Sequence, residues 1–213
     1  MLYIHREHRS RSFLVVATEK LPTRGRPRSF DVEAAVDKAM RMFHARGYDA
    51  VGVAELGAEL GIKPPSFYAA FGSKAGLFER ALERYAAGEA NVFGYARAIG
   101  GSVADVIEAA LARAAHIYPE RNGAAGCLVL DGTRNSTDPE ARAITAAAKA
   151  ASREAIRAFI ATEHPTRAGE LTALATIALE GMSAAARDGA DEATLSGFAA
   201  NIARAFRREI SGR

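Results

Sequence analysis

The segment LGIKPPSFYAAFGSKAGLF, from Leu60 to Phe78, restricts the fold of this chain more than any other. Gly61 and Gly72 close off a stretch that opens on Pro64 and Pro65. Two prolines suit the first turn of a helix, where backbone N–H groups have no intrahelical acceptor, and they exclude a central strand. The resulting helix ends near Ala70. Isolated helices below ~12–15 residues are marginal, so tertiary packing must hold one this short. Phe67 and Phe71, four apart, can supply that packing and leave Ser66, Tyr68 and Ala69 turned outward. Such a segment cannot make a core of its own. It presents side chains to another molecule.

The flanking sequence supplies the support. Val32, Ala35, Val36, Ala39, Met40 and Phe43 recur at the spacing of one amphipathic helix face, with Asp31 to cap its start and Gly47 to end it. A second helix is expected over Val53–Leu60, with Val53, Leu56 and Leu60 inward, Gly61 as its stop and Ile62 as the buried residue of the turn. Ser73 can cap a fourth helix that begins at Lys74 and runs through Leu77, Phe78, Leu82 and Tyr85. Three short helices with a glycine turn between the second and third make a helix-turn-helix, whose third helix enters the DNA major groove by its amino-terminal residues.

Further helices are expected near 102–118, 127–134, 138–162, 167–187 and 192–209, for an all-α chain of about nine helices. The expected organisation is a disordered basic arm over 1–28, a helix-turn-helix DNA-binding domain over 29–75, and a larger helical body over 76–213. Leu171, Leu174, Ala178, Met182 and Ala185 form one apolar stripe, and Leu195, Phe198, Ile202 and Phe206 form another. Core burial explains such stripes as readily as half of a four-helix dimer interface does.

The net charge of +3 is unevenly placed. Residues 1–30 hold seven Lys/Arg against Glu7 and Glu19, so the remainder is slightly acidic. Residues 1–23 lack sustained periodicity and are read as disordered, or as an over-long start to the reading frame. A single cysteine, Cys127, rules out an internal disulfide, which with the lack of any signal-peptide core or membrane span suggests a cytoplasmic protein. No catalytic or metal site is expected. His5, His8, His44, His116 and His164 are scattered without metal-ligand spacing, and no glycine-rich phosphate loop follows a strand. Cys127 has no base near it in sequence. It reads first as a small packed hydrophobe, with a redox- or metal-responsive thiol as the sharper alternative.

Taken together, FHARGYDA, VAELGAELGI and SFYAAFGSKAGLF make the stretch from Phe30 to Phe78 resemble the TetR family of transcriptional regulators. GCLVLDGTRN, Gly126 to Asn135, resembles a segment of a subset that includes ComR-type regulators, and IALEGMSAAARDG the penultimate helix of many members. The resemblance implies a homodimer that binds double-stranded DNA at a near-palindromic operator, and makes 76–213 an effector-binding and dimerisation domain, with an unknown small-molecule effector and no cofactor. Carried over by position, Lys63, Pro64, Pro65 and Ala69 match base-contacting positions, and Ser66, Tyr68 and Lys74 match phosphate-holding ones. Hydroxyls and a lysine suit phosphate, Lys63 suits guanine O6 or N7, and the prolines offer only apolar contact.

This chain departs from the family where Thr or Ser is common, with Val51 and Gly52 instead. Gly52 keeps the role of helix cap and can still offer backbone N–H groups to phosphate. Residues 31–80 carry six basic and seven acidic side chains, so the head is not itself basic. Salt-dependent affinity is therefore assigned largely to the arm, where Arg24, Arg26 and Arg28 suit minor-groove insertion. Phe93, His116, Tyr118 and Cys127 are the candidate effector-pocket residues. A helical interaction or sensor protein with weakened DNA binding is the alternative function.

Overall fold

The computed structural model describes residues 30–121 and 123–212, so the arm with Arg24, Arg26 and Arg28 lies outside the described residues. Helix α1 (Val32–Arg46) starts at Asp31, whose carboxylate accepts from the Ala34 N–H at 3.1 Å. Helix α2 (Val53–Leu60) ends at Gly61 in the left-handed conformation, with φ 68° and ψ 30°. That geometry is costly for any residue with a Cβ. Helix α3 (Pro64–Phe71) carries its prolines in the first turn, and α4 (Lys74–Ala87) is capped by Ser73, whose hydroxyl accepts from the Gly76 N–H at 2.9 Å.

The remaining helices are α5 (Val92–Ile99), α6 (Val103–Ile117), α7 (Leu128–Asp131), α8 (Pro139–Ala161), α9 (Ala168–Arg187) and α10 (Glu192–Ile210). Among the described residues there is no strand, only an isolated bridge between Arg121 and Ala124. Helix α5 falls where the sequence reading placed none. It has eight residues, includes Gly94, and depends on Asn91, whose side chain accepts from the Gly94 N–H at 2.8 Å and donates to the Ala86 carbonyl at 3.0 Å. It packs against α6, where Ala96, Val106 and Ala110 share a core with Phe93 and Phe159.

Helix α4 joins the first three helices to the rest, packing against α1 on one side and α8 on another. Phe78, fully buried on α4, meets the rings of Phe43 at 5.1 Å and Tyr48 at 5.0 Å, both edge-on. Hydrogen bonds between the α1–α2 turn and residues 126–138 fix the same junction. The Tyr48 N–H donates to the Gly132 carbonyl at 2.8 Å and its hydroxyl to Asp138 at 2.8 Å. The Ser136 hydroxyl donates to Asp49 at 2.7 Å, and His44 Nε2 lies 3.0 Å from the Gly126 carbonyl. The carbonyl can only accept, so the bond requires the proton on Nε2.

Gly126 has φ 74°, and a Cβ there would stand 2.8 Å from the Ser183 hydroxyl and 2.9 Å from the Ser183 carbonyl. Only glycine fits, which explains the residue that opens GCLVLDGTRN.

Two outcomes follow from this junction. Phe78→Ala should lower unfolding free energy by about 3–5 kcal/mol, as measured by chemical denaturation, since it empties a closed aromatic cluster. Burial holds the His44 imidazole below its usual range, helped by Arg187 and opposed by the Gly126 carbonyl and Asp131, while the Tyr85 ring packs edge-on at 5.2 Å. The unfolded chain therefore takes up this proton first as pH falls through about 6.5, and stability present above that pH declines below it. His44→Gln, which can still donate to Gly126, should flatten the loss of stability between about pH 7.5 and 5.5. An unchanged slope in denaturant titrations at those two pH values would show that His44 does not carry it.

Candidate functional site

Helix α3 presents one continuous exposed face. Lys63, Pro64, Pro65, Ser66, Tyr68 and Ala69 are all exposed, while Phe67 and Phe71 are buried beneath them. Tyr68 is 51% exposed even though its ring meets Phe67 edge-on at 5.5 Å. Pro64 and Pro65 remove N–H donors from the first turn, so anion binding by backbone amides is weakened there and recognition falls to side chains.

The supports of that face are ion pairs and turns. Lys38 on α1 donates to the Glu59 carbonyl at 2.8 Å and pairs with its carboxylate at 2.9 Å, and Arg46 pairs with Glu55. Arg84 on α4 pairs with Asp37 at 2.7 Å. Such exposed pairs contribute little stability each, but they set the orientation of α2 and α4 on α1. Val51, one of the two departures from the family pattern, is fully buried and acts as core. Gly52, the other, is exposed, caps α2 without a side-chain bond, and has no atom within 4 Å of where a Cβ would stand.

Lys74 is placed differently from the other candidates. Its ammonium lies 3.9 Å from the centre of the Tyr48 ring, and it is half-buried. Burial lowers its pKa while Asp49 and Asp138 act the other way. The side chain is held at the junction by a cation–π contact instead of extending into solvent.

A cavity of about 300 Å³ opens inside the helical body. Phe93, Tyr118 and Cys127, three of the four candidate pocket residues, line it. His116 does not. It sits on the surface with Nδ1 2.8 Å from Glu192, because the face of α6 that it occupies turns outward toward α10. Tyr85 joins Tyr118 and Cys127 at one end, and burial pushes both phenols up. Burial pushes the Cys127 thiol up, so it stays protonated and is a poor nucleophile. The Cys127 N–H donates to the Ser183 hydroxyl at 2.7 Å, which donates in turn to buried Asp131. Asp131 is paired with Arg134 at 2.7 Å.

Sequence reading missed the side chains from α7, α8 and α9 that complete the cavity, among them Val129, Leu130, Lys149, Arg153, Ile156, Thr176 and Glu180. Lys149 and Arg153 carried no distinguishing signal, since a cation on a long helix normally marks a solvated face.

The stripes of the last two helices are corrected by the packing. Leu171, Ala178 and Met182 on α9 and Leu195 and Phe206 on α10 are buried within the single chain, where α10 packs on α6 and α9. A side chain already buried there has no surface left for a partner. Leu174 and Ile202 are only partly covered and Phe198 is 41% exposed. The large apolar side chain most open on α9 is Ile177, at 65%, a residue outside the expected stripe. It borders a groove between α8 and α9 with Ala146, Ala150, Gly169 and Ala173, and with Lys149 and Arg153, which stand between this groove and the cavity.

Comparison with known proteins agrees with this geometry. Residues 35–81 match the family model described as bacterial regulatory proteins, tetR family, a span that runs from α1 into α4. The chain is 43% identical over 169 residues to the HTH-type transcriptional repressor BdcR of Escherichia coli (strain K12), covering 78% of this chain and 83% of that protein. It is 37% identical over 114 residues to the HTH-type transcriptional repressor ComR of the same organism, covering 51% and 52% respectively. Among solved structures, a cysteine mutant of the TetR family transcriptional regulator CifR, complexed with 26bp double-strand operator DNA, superposes with a TM-score of 0.76. That match has 28% identity and covers 84% of this chain and 99% of the other. With a helix-turn-helix at the matched residues and a relative of this identity aligned over most of both chains, the protein belongs to the TetR family of bacterial regulators.

Proposed function

We propose that this chain is a cytoplasmic homodimeric repressor that holds a near-palindromic operator through paired α3 helices and leaves it when a small molecule enters the cavity. The observation that carries the reading is the exposed α3 face. Six side chains there are turned to solvent by a helix whose own burial is complete at Phe67. The repressor BdcR supports the direction of regulation, and the operator complex of CifR supports DNA as the partner. In this reading Lys63 and the apolar edge of Pro64, Pro65 and Ala69 meet bases, and Ser66 and Tyr68 hold phosphates. Gly52 brings the amide groups of α2 toward the backbone, and Arg24, Arg26 and Arg28 supply the salt-dependent share of affinity.

Half-sites would lie ~34–36 Å apart, or at a related spacing, on one face of the duplex. The partner docks on the α8–α9 groove around Ile177, where small residues allow close helix approach. Release works through the junction. Tyr85 lies on α4 and lines the cavity, and Cys127, Val129 and Leu130 line it from the segment that bonds to His44 and Tyr48. Ligand entry that displaces either element re-aims α1 and α3 together. An effector can do so only if it prefers the non-DNA arrangement, because equal affinity for both shifts nothing.

Tyr68→Phe removes one charge-assisted hydrogen bond per protomer, worth about 1.5–3 kcal/mol. Two such losses per dimer should weaken binding to the operator by about a hundredfold or more in fluorescence anisotropy with no change in melting temperature; undiminished affinity would remove Tyr68 from the interface. Ile177→Arg should give monomers in sedimentation velocity and abolish operator binding, whereas a persisting dimer would move the interface elsewhere.

A further inference from the structure

The polar groups of the cavity are nearly all spoken for, and what remains open defines the ligand. At the inner end, the Tyr85 and Tyr118 phenols sit with the Cys127 thiol, and burial keeps both phenols protonated. Asn91 uses its carbonyl oxygen on Gly94 and its amide on Ala86. The Thr176 hydroxyl donates back to the Thr172 carbonyl at 2.8 Å. Arg153 and Glu180 face each other at 4.0 Å and largely cancel. Lys149 has no acidic partner among the described residues, and it is half-buried on the wall that α8 contributes. Apart from Ser152 at the exposed edge, the rest of the lining is apolar, with Phe93, Val129, Ile156 and Leu179 prominent.

On the reading that this cavity is the effector site, we infer that its ligand is an amphipathic monoanion, a small carboxylate with one alkyl or aryl body. The apolar body removes the surface of Phe93, Val129, Ile156 and Leu179 from water, and the carboxylate accepts from the Lys149 ammonium. A volume of about 300 Å³ is at the small end of ligand cavities, which excludes nucleotides and other large polyanions. An amine would meet Lys149 with like charge. A neutral alcohol gains the apolar burial and forgoes the charge-assisted bond, which is the stronger kind.

The test titrates the full-length protein with hexanoate, octanoate, decanoate and phenylacetate, and with 1-octanol and octylamine, by calorimetry and thermal shift. At least one carboxylate should bind about tenfold more tightly than octanol, and octylamine should not bind. Lys149→Met should reduce carboxylate affinity about tenfold and leave octanol affinity unchanged. Equal affinity for octanol and octanoate, no binding by any carboxylate, or a K149M variant that binds carboxylates as wild type does would each overturn the assignment. Operator binding is followed in parallel to separate the two proposals. A carboxylate that binds through Lys149 yet leaves the DNA complex intact upholds the ligand class and defeats ligand-driven release. Release by octanol alone does the reverse.

Discussion

Burial of one phenylalanine from α4 between two aromatic rings of the first helix and its turn is the contact on which the arrangement rests. Phe78, Phe43 and Tyr48 are all buried, and around them the backbone of the α1–α2 turn is bonded to the segment 126–138. The aromatic cluster supplies free energy through area and edge-on geometry. The hydrogen bonds supply direction. Remove either and the short helices α2 and α3 lose the frame that holds them, since neither is long enough to persist by propensity. The α3 surface is therefore a property of the whole junction, not of its own eight residues.

The same junction brings regulation within reach of recognition. Cys127 touches the cavity with its thiol, and its N–H is tied through Ser183 to Asp131. One residue before it, the Gly126 carbonyl bonds to His44 on α1. A buried relay of this kind has no slack, because each group would lose a hydrogen bond on moving alone. Its members are expected to shift together or not at all. The chain is a regulator of the TetR family, not an enzyme.

The first four helices were legible because their boundaries are written in local chemistry. Asp31, Gly61, the Pro64–Pro65 pair and Ser73 each act on their immediate backbone, and each sits where the sequence placed it. Helix α5 was not legible. Its eight residues, with Gly94 among them, depend on Asn91 and on packing against α6 that no local pattern reveals. The apolar stripes of α9 and α10 were seen correctly as stripes, but periodicity cannot say whether a face turns toward its own chain or another. Burial decides that, and it placed Leu171, Met182, Leu195 and Phe206 inside. For the cavity, aromatic and sulfur side chains drew notice, whereas Lys149 looked like an ordinary surface cation until its neighbours were known.

Helix α4 begins at Lys74, next to the recognition helix, and reaches Tyr85 on the cavity wall within its 14 residues. At 1.5 Å per residue it is a rod about 21 Å long. Pivoted at the cavity end by about 5°, such a lever carries its far tip through about 2 Å. In the twofold assembly proposed above both tips would travel, so a side-chain adjustment the size of a single methyl group would be magnified into a mismatch between two reading heads and the fixed pitch of the duplex.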